Sequence, residues 1–161
     1  MDLTRISKLL TYDPKTGFFY WIMNKGRARA GTVAGAKHNC GYVCIGIDGK
    51  SYLAHRMAVA ISGSQLSENQ QVDHINGDRS DNRLENLRVA SHAENCQNSK
   101  ARAHNKSGMK GVGYEPKRKM WRARVSINKK TTWLGYFNSP EEAHAAYCAA
   151  AKKLHGEFFR T

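Results

Sequence analysis

The first 70 residues carry apolar side chains first at helical spacing and then at every second position. Apolar residues at positions 3, 6, 9 and 10 predict a short amphipathic helix over Leu3–Leu10. Strands are predicted over three segments: Phe18–Ile22, Tyr42–Ile47 and 51–53. Asp48 and Gly49 supply a tight turn between the last two strands, and His55–Ile61 predicts a second short helix. This part of the chain is therefore interpreted as a β-hairpin scaffold.

A turn-rich loop separates two short extended segments in the middle of the chain. Val72–His74 predicts a strand that ends in an acid–imidazole pair, and Leu87–Val89 predicts an extended segment after the loop. Ser91 is a favourable N-cap, and Glu94 three residues later completes a capping-box pattern. A helix is therefore expected to begin here, so that the order is strand, loop, strand, helix.

The last third of the chain alternates apolar and polar positions. In Trp121–Ile127 the odd positions are apolar, whereas Arg122, Arg124 and Ser126 fall on the other face. Neighbouring strands are predicted over Lys110–Tyr114 and Thr131–Phe137, with a turn at Asn128–Lys130. The pattern indicates a three-stranded antiparallel sheet with one apolar and one basic face.

A helix is predicted to follow this sheet. Ser139 is its expected N-cap, Pro140 takes the first helical position, and Gly156 suits its end. The predicted apolar stripe contains Ala143, Ala146, Tyr147, Ala150 and Leu154. Because most of these side chains are small, the helix can pack closely on the apolar face of the sheet and leave the basic face accessible.

Positive charge is concentrated in the same third of the chain. The net charge is +13; residues 1–99 carry 12 basic and 9 acidic residues, whereas residues 100–161 carry 14 and 4. So basic a protein is expected to bind a polyanion, with nucleic acid as the first candidate. A polar, basic stretch between the two parts is interpreted as a linker. We predict an α+β protein with domains at 1–98 and 108–161 and a basic linker at 99–107.

The composition excludes a membrane protein and a disulfide framework. No apolar run approaches the roughly 18–20 residues that span a bilayer, and Met1–Leu10 lacks the apolar core of a signal peptide, so a cytoplasmic protein without a membrane partner is expected. Four cysteines form no C-x-x-C pair: Cys40, Cys44, Cys96 and Cys148. Reduced, structural thiols are expected and no zinc, the alternative being a zinc site of Cys40 and Cys44 with distant histidines.

Asp73, His74 and Asn95 have the chemistry that phosphodiester cleavage requires. Such a reaction needs a group that deprotonates water, a divalent cation, and ligands that hold the cation without filling its coordination shell. Adjacent side chains of a regular strand point to opposite faces. An irregular strand end is therefore expected to bring Asp73 and His74 to one site.

The same residues, in their spacing, resemble the HNH endonucleases and particularly the homing endonucleases of phages. His74 follows Asp73, Asn86 comes 12 residues after His74, and Asn95 comes 9 residues after Asn86. The resemblance implies a ββα-metal motif over about 70–98. In that motif His74 would be the general base, Asp73 and Asn95 would bind the metal, and Asn86 would brace the loop and orient the imidazole. Oxygen ligands suit a hard cation, which favours Mg²⁺ with Mn²⁺ as the alternative.

Other polar residues around the motif are assigned supporting roles. The candidates for a phosphate clamp are Arg56, Arg83 and Arg88, with solvated surface charge as the alternative. The loop residues interpreted as turn-formers are Asn76, Asp78, Asp81 and Asn82. His55 is expected to pack beside the site. His92 lies one helical turn before Asn95, close enough to reach the metal or a phosphate.

The segment over about 107–161 resembles the Apetala-two/ethylene-response-factor DNA-binding domain. The matching text is Gly111-Val112, Trp121-Arg122-Ala123, Trp133–Phe137 and the alanine-rich helix. The resemblance implies that the sheet enters the major groove of DNA. The implied contact residues are Lys110, Tyr114, Arg122, Arg124, Ser126 and Trp133. Gly113, Ser126 and Thr131 stand where the family carries basic residues, so the resemblance does not define a target sequence.

These patterns together predict a divalent-metal-dependent endonuclease that hydrolyses double-stranded DNA and resembles phage homing enzymes, with the host cytoplasm as its place of action if a phage encodes it. One active centre per chain fits nicking by a monomer or double-strand cleavage by a homodimer on DNA. Two other classes remain open. One is a DNA-binding regulator whose nuclease motif is inert, and the other is a protein that binds structured RNA.

Overall fold

In a computed structural model of the protein the chain folds as two compact units, Met1–Ser91 and His92–Thr161. The structure describes residues 1–99, 105–127 and 130–159. Residues 100–104 of the predicted linker and residues 128–129 of the predicted turn lie outside the described residues. Within the described ranges, no helix combines the length and apolar character needed to cross a bilayer. The mixture of helices and strands confirms the predicted α+β class.

The first unit consists of short antiparallel sheets and two helices. Its helices are α1 (Leu3–Ser7) and α2 (Ala54–Ile61). Its strands are β1 (Leu10–Tyr12), β2 (Phe19–Trp21), β3 (Val33–Ala34), β4 (Ala36–Lys37), β5 (Val43–Ile47), β6 (Lys50–Leu53), β7 (Gln70–His74) and β8 (Leu87–Ser91). The sheets are β1-β2-β3, β4-β5-β6 and β7-β8, and a 3-10 turn at Leu84–Asn86 precedes β8.

The N-terminal helix is shorter than predicted. The Oδ1 atom of Asp2 accepts a hydrogen bond of 3.0 Å from the backbone N–H of Arg5 and so caps the start of α1. The helix ends at Ser7 rather than continuing to Leu10, because Leu10 opens β1 and pairs with Trp21. Tertiary pairing therefore overrides the helical spacing of the apolar residues at this end.

One continuous apolar core fills the first unit. Phe19, Ile45 and Met57 are among its largest fully buried side chains. Helix α2 contacts β5 and β6 as well as β7 and β8. It thereby brings His55, in its first turn, beside the strand that ends in His74.

The second unit is a three-stranded sheet with a long helix. Its strands are β9 (Val112–Glu115), β10 (Met120–Ile127) and β11 (Lys130–Phe137), and its helices are α3 (His92–Gln97) and α4 (Pro140–His155). The antiparallel order is β11-β10-β9, as predicted. The register of β10 and β11 shifts between Ala123 and Arg124: Ala123 pairs with Gly135 and Arg124 with Trp133. Leu134 therefore forms a bulge, and it packs into the apolar core of this unit.

Helix α4 is capped as the sequence predicts, but its buried stripe differs in part. The Oγ atom of Ser139 accepts a hydrogen bond of 3.1 Å from the N–H of Glu142. The buried residues follow steps of four: Ala143, Tyr147, Ala151 and His155. Leu154, predicted on this stripe, is 41% exposed, because a strict four-residue step carries the buried face past it.

Candidate active site and nucleic-acid interface

The strand pair β7-β8 holds the acid–imidazole pair at one end. Its register runs without a shift from Gln70 opposite Ser91 to His74 opposite Leu87. The expected irregular strand end is therefore not present, and regular alternation directs Asp73 and His74 to opposite faces. They remain electrostatically close, since the charge of Asp73 raises the pKa of His74. His74 is the last residue of β7 and pairs with Leu87 at the end of the two-stranded ribbon.

Asp73 is a buried carboxylate with a partly buried cationic partner. Its side chain is 5% exposed and that of Arg88, directly across the ribbon, is 12% exposed. Hydrogen bonds of 2.9 Å from Nε and 2.7 Å from Nη2 of Arg88 both end on the Oδ2 atom of Asp73. A carboxylate oxygen is also a ligand type that hard divalent cations prefer.

His74 lies in an aromatic surrounding. Its ring centroid is 5.0 Å from that of His55, in an edge-to-face arrangement, and 5.9 Å from that of Tyr42. Burial lowers the pKa of His74, an effect that the hydrogen bond with Asn82 and the charge of Asp73 oppose in part. The imidazole is therefore neutral near pH 7 and able to accept a proton.

Asn82 is the hydrogen-bond partner of this imidazole. Its Oδ1 atom lies 3.2 Å from Nε2 of His74, and Asn82 is itself 3% exposed. The sequence predicts a turn role for Asn82, because it stands in a run of turn-forming residues. Nothing in its local pattern distinguishes it from Asn76, and the loop fold alone turns it inward.

Asn86 braces the loop between the two strands. Its Oδ1 atom accepts a hydrogen bond of 3.0 Å from the N–H of Asn76, and its Nδ2 atom donates one of 2.8 Å to the carbonyl of Asp81. The start and the middle of the loop are thereby tied to one buried amide near its end. The His74 ring is hydrogen-bonded to Oδ1 of Asn82 and not to Asn86. Asn86 therefore braces the loop as predicted, but Asn82 is the amide that contacts the imidazole.

The other loop residues are turn-formers, as predicted. Oδ1 of Asn76 accepts from the N–H of Asp78 at 2.8 Å, and Oδ1 of Asp78 accepts from the N–H of Ser80 at 2.9 Å. Oδ1 of Asp81 accepts from the N–H of Arg83 at 3.3 Å. These local hydrogen bonds fix the loop in a single conformation.

The three arginines predicted as a phosphate clamp all have partners within the first unit. Arg88 is paired with Asp73, and Arg83 forms salt bridges with Asp81 at 2.8 Å and Glu85 at 2.7 Å. Arg56 donates a hydrogen bond of 3.3 Å to the carbonyl of Gln70, which is a neutral partner. A carbonyl does not neutralise a guanidinium as a carboxylate does, so Arg56 is better able than Arg83 or Arg88 to attract a phosphate.

His55 is a buried histidine, which the sequence predicts to pack beside the site. It is 4% exposed, and its Nδ1 atom has no hydrogen-bond partner among the described residues. Burial, with smaller effects from His74 and Arg56, lowers the pKa of His55 to about 3. The ring is therefore neutral at any physiological pH and packs between Tyr42, at 4.9 Å, and His74.

Asn95, the second predicted metal ligand, lies on α3, which groups with the second unit. Within that unit the Nζ atom of Lys110 donates hydrogen bonds to the carbonyl of Gln97 and, at 2.7 Å, to that of Ser99. Lys110 thus binds the C-terminal end of α3. His92 lies in the first turn of α3, where its Nε2 atom is 3.6 Å from Sγ of Cys96.

The donor set predicted for a metal consists of one carboxylate and one amide. Among the described residues, no group of three or more His, Cys, Asp or Glu side chains lies close enough together to hold an ion. All four cysteines are free thiols. The carboxylate of Asp73 and the amide of Asn95 each offer an oxygen donor, the ligand type that Mg²⁺ and Mn²⁺ prefer.

The basic face of the second unit collects most of the predicted DNA contacts. Directly opposed residues of antiparallel strands share a face, so Arg124 lies with Trp133, and Ser126 lies with Thr131. Arg122, two residues before Arg124, is on the same face. Trp133 is 49% exposed there and packs edge-to-face on Tyr136.

Two predicted DNA contacts lie elsewhere. Tyr114 pairs with Trp121, and their ring centroids are 5.1 Å apart, so Tyr114 is on the face opposite to Arg122 and Arg124. The register of β9 with β10 decides this, and the sequence does not fix that register. The Nζ atom of Lys110 donates hydrogen bonds to the carbonyls of Gln97 and Ser99, at the C-terminal end of α3.

Comparisons with known proteins match both parts of the chain. The family model described as HNH endonuclease matches residues 52–97, and that described as AP2 domain matches residues 107–157. Protein 3.8 of Escherichia phage T7 is 36% identical over 91 residues, which are 55% of this chain and 73% of that protein. A solved structure described as DNA binding and cleavage by the HNH homing endonuclease I-HmuI matches with a TM-score of 0.46 and 25% identity, over 56% of this chain and 51% of that chain.

The range matched by the HNH family model contains the residues that the sequence predicts for catalysis and metal binding. Residues 52–97 contain α2 with His55, the ribbon with Asp73 and His74, and α3 with Asn95. Residues 107–157 contain the three-stranded sheet and all of α4. The chain therefore belongs to the HNH endonuclease family and carries an AP2 domain after its HNH segment.

Proposed function

We propose that the protein is a divalent-metal-dependent endonuclease that hydrolyses phosphodiester bonds of double-stranded DNA. The single observation that carries the proposal is the buried imidazole of His74 at the end of β7, whose pKa is lowered by burial and which directly follows the buried carboxylate of Asp73 in the strand. A base and an oxygen ligand thereby belong to the same short strand.

His74 is the proton acceptor in this proposal. A general base works best when it is unprotonated at the working pH and fixed in orientation. Burial lowers the pKa of His74, and the contacts with Asn82 and His55 restrict its ring. A water molecule beside the ring would lose its proton to the imidazole as it attacks phosphorus.

Asp73 and Asn95 would hold the divalent cation. When bound, such an ion stabilises negative charge on the phosphate and on the leaving oxygen. The chain's contribution is to present oxygen donors that do not fill the coordination shell. Arg88 donates two hydrogen bonds to the Oδ2 atom of Asp73, and Arg56 is the arginine best placed to add a contact to a phosphate.

The AP2 domain would select and hold the duplex. Arg122, Arg124 and Trp133 share one face of its sheet, on the side away from α4. Guanidinium groups can pair with phosphates and with guanine, and an exposed tryptophan can pack against sugars or bases. The concentration of charge in residues 100–161, 14 basic against 4 acidic, supports the same assignment.

We further propose that the enzyme is a homing endonuclease of a phage. The relative from phage T7 supports a phage origin, and an HNH centre joined to a DNA-binding domain suits an enzyme that cuts at selected sites. One HNH segment per chain favours nicking of a single strand by a monomer, with double-strand cleavage requiring a second copy.

A second candidate is a DNA-binding regulator whose nuclease centre is inert. The observation in its favour is the salt bridge of Arg88 with Asp73, which occupies a carboxylate oxygen that a metal would use. If that contact persisted on DNA, the chain would bind without cutting.

Incubation of supercoiled plasmid with the purified protein, with Mg²⁺ or with EDTA, separates the two. The endonuclease predicts nicked or linear DNA with Mg²⁺ only, no product from His74→Ala, and equal binding by both proteins. A regulator would bind equally and yield no product from either. Competition between duplex DNA and structured RNA at matched salt tests the remaining class.

A further inference from the structure

Arg79, in the loop after β7, is held by two neutral groups. Its guanidinium carbon lies over the ring of Tyr42, 4.8 Å from the ring centroid. Its Nη1 atom donates a hydrogen bond of 2.9 Å to the backbone carbonyl of Cys40. A contact with an aromatic face and a hydrogen bond to a carbonyl both orient a guanidinium, and neither neutralises its charge.

The ring of Tyr42 connects this guanidinium with the surroundings of the proposed base. Its centroid is 5.9 Å from that of His74 and 4.9 Å from that of His55. The turn before Tyr42 also lies against Arg79, since a Cβ atom at Gly41 would be 3.7 Å from the Cβ and Cδ atoms of the arginine. Arg79 therefore places a positive charge two contacts away from His74.

Among the residues that the structure describes, no carboxylate forms a salt bridge with Arg79. The adjacent acid is Asp78, and its Oδ1 atom accepts hydrogen bonds from the N–H of Ser80 at 2.9 Å and from the Oγ of Ser80 at 2.7 Å. Arg83 and Arg88, by contrast, both have carboxylate partners. Arg79 is exposed, and its hydrogen bond to a carbonyl uses one of five N–H donors, so the others can bind an anion from solution.

We propose that Arg79 binds a backbone phosphate of the DNA strand on which His74 acts, with the ring of Tyr42 holding its guanidinium in place. The inference rests on the proposed function, because it takes His74 as the place of cleavage. Phosphates follow one another every ~3.4 Å of helix axis along a strand, so a strand with one phosphate at His74 presents neighbouring phosphates to nearby groups. A guanidinium can donate two parallel hydrogen bonds to one phosphate. Arg79 would thereby fix the strand relative to the base, in addition to any contact from Arg56.

Two substitutions separate the charge of Arg79 from its packing. Arg79→Met keeps an unbranched side chain over the Tyr42 ring and removes the charge and the donors, whereas Arg79→Lys keeps the charge. Arg29→Met is the matched control. Arg29 is also an exposed arginine of the first unit, and its Nη1 atom also donates to a backbone carbonyl, that of Gly26 at 3.1 Å. The two methionine variants therefore lose the same charge and the same kind of hydrogen bond.

Binding of a fluorescein-labelled duplex of mixed sequence is measured by anisotropy at several salt concentrations, in EDTA so that no divalent cation is present. For Arg79→Met we expect Kd at low salt to rise about ten-fold, as the loss of a charge-assisted hydrogen bond predicts. The slope of log K against log salt should fall by about 0.9, the value for one phosphate. Arg79→Lys should keep the slope of wild type, because lysine also neutralises a phosphate, and Arg29→Met should keep both values.

A second measurement locates the phosphate. The cut is mapped with Mg²⁺, and the phosphates on either side of it are then replaced one at a time by neutral methylphosphonates. At one of these positions the replacement should weaken binding by wild type and by Arg29→Met, and it should leave binding by Arg79→Met unaffected. A merely structural role of Arg79 would not remove the response to one particular phosphate.

An unchanged salt slope in Arg79→Met would overturn the proposal, and so would an equal fall in Arg29→Met, which would reflect net charge alone. Methylphosphonate effects that are the same in wild type and Arg79→Met at every position would also overturn it. If Arg79→Met does not fold, Arg79→Gln replaces it, because the amide keeps a donor without the charge. A wild type that binds the duplex and never cleaves it refutes the nuclease, whereas the salt slopes in EDTA still decide whether Arg79 binds a phosphate.

Discussion

Arg88 lies directly opposite Asp73 on the β7-β8 ribbon and holds its Oδ2 atom with two hydrogen bonds, of 2.9 and 2.7 Å. The carboxylate is buried, the guanidinium is partly buried, and the carboxylate is a candidate metal ligand. The same contact therefore has two consequences, one for stability and one for the binding of a cation.

Removal of the guanidinium should destabilise the fold strongly. Arg88→Ala leaves a buried carboxylate without its counter-charge, which typically costs about 3–5 kcal/mol in the free energy of unfolding. Urea denaturation of wild type and variant measures this loss. Arg83→Ala is the matched control: its salt bridges are more exposed, so a loss below about 1 kcal/mol is expected. Equal losses in the two variants would contradict the assignment.

Mg²⁺ should stabilise Arg88→Ala more than it stabilises wild type. The guanidinium and a divalent cation both favour the carboxylate of Asp73, so the arginine competes with the ion. We expect the shift in Tm on adding Mg²⁺ to be larger in Arg88→Ala, and to be absent in Arg88→Ala combined with Asp73→Asn. If Mg²⁺ gives the same shift in all three proteins, Asp73 does not bind the ion.

His55 should make the fold sensitive to acid. Its pKa is about 3 in the folded protein against an ordinary value of 6.5, so the unfolded chain takes up the proton first. The neutral His55 ring contributes fully to the free energy of unfolding above about pH 6.5. That contribution is lost as pH falls toward 3, at up to about 1.4 kcal/mol per pH unit. Between pH 7 and 5, wild type should therefore lose more stability than His55→Phe. The exposed His38→Phe serves as control, and identical slopes for wild type and His55→Phe would refute the role of His55.

The sequence predicts the elements of the site better than its contacts. The strands around Val72–His74 and Leu87–Val89, and the helix after Ser91, follow from alternation and a capping pattern, and each is present. The same patterns could not single out Asn82. Asn76, Asp78, Asp81 and Asn82 all have turn chemistry, and only the folded loop, whose Asn82 carbonyl accepts a hydrogen bond from Tyr12, shows which amide faces the imidazole.

The DNA-binding face shows the same limit. Alternation in β10 separates Arg122 and Arg124 from Ala123 without any knowledge of the fold. The face of Tyr114 depends on its pairing with Trp121, and the face of Trp133 depends on the bulge at Leu134. Pairing register and bulges arise from contacts between strands, which the spacing of one strand does not reveal.

The two faces of the AP2 sheet should differ in their effect on DNA binding. Arg124→Ala should weaken duplex binding and reduce the slope of log K against log salt by about 0.9 if the arginine contacts one phosphate. Tyr114→Leu, on the opposite face, should leave affinity and slope unchanged. Titration of labelled duplex by fluorescence anisotropy at several salt concentrations measures both. A larger effect from Tyr114→Leu would mean that the other face binds DNA.

The central claim is that His74 removes a proton from the attacking water, and single-turnover cleavage by wild type and His74→Ala tests it most directly. Both proteins are mixed in excess with a labelled duplex at saturation, and Mg²⁺ is added to start the reaction. We predict that the rate constant of His74→Ala falls by about 10²–10⁴-fold while its Kd for the duplex is unchanged. A rate constant equal to that of wild type, at equal affinity, would contradict the account.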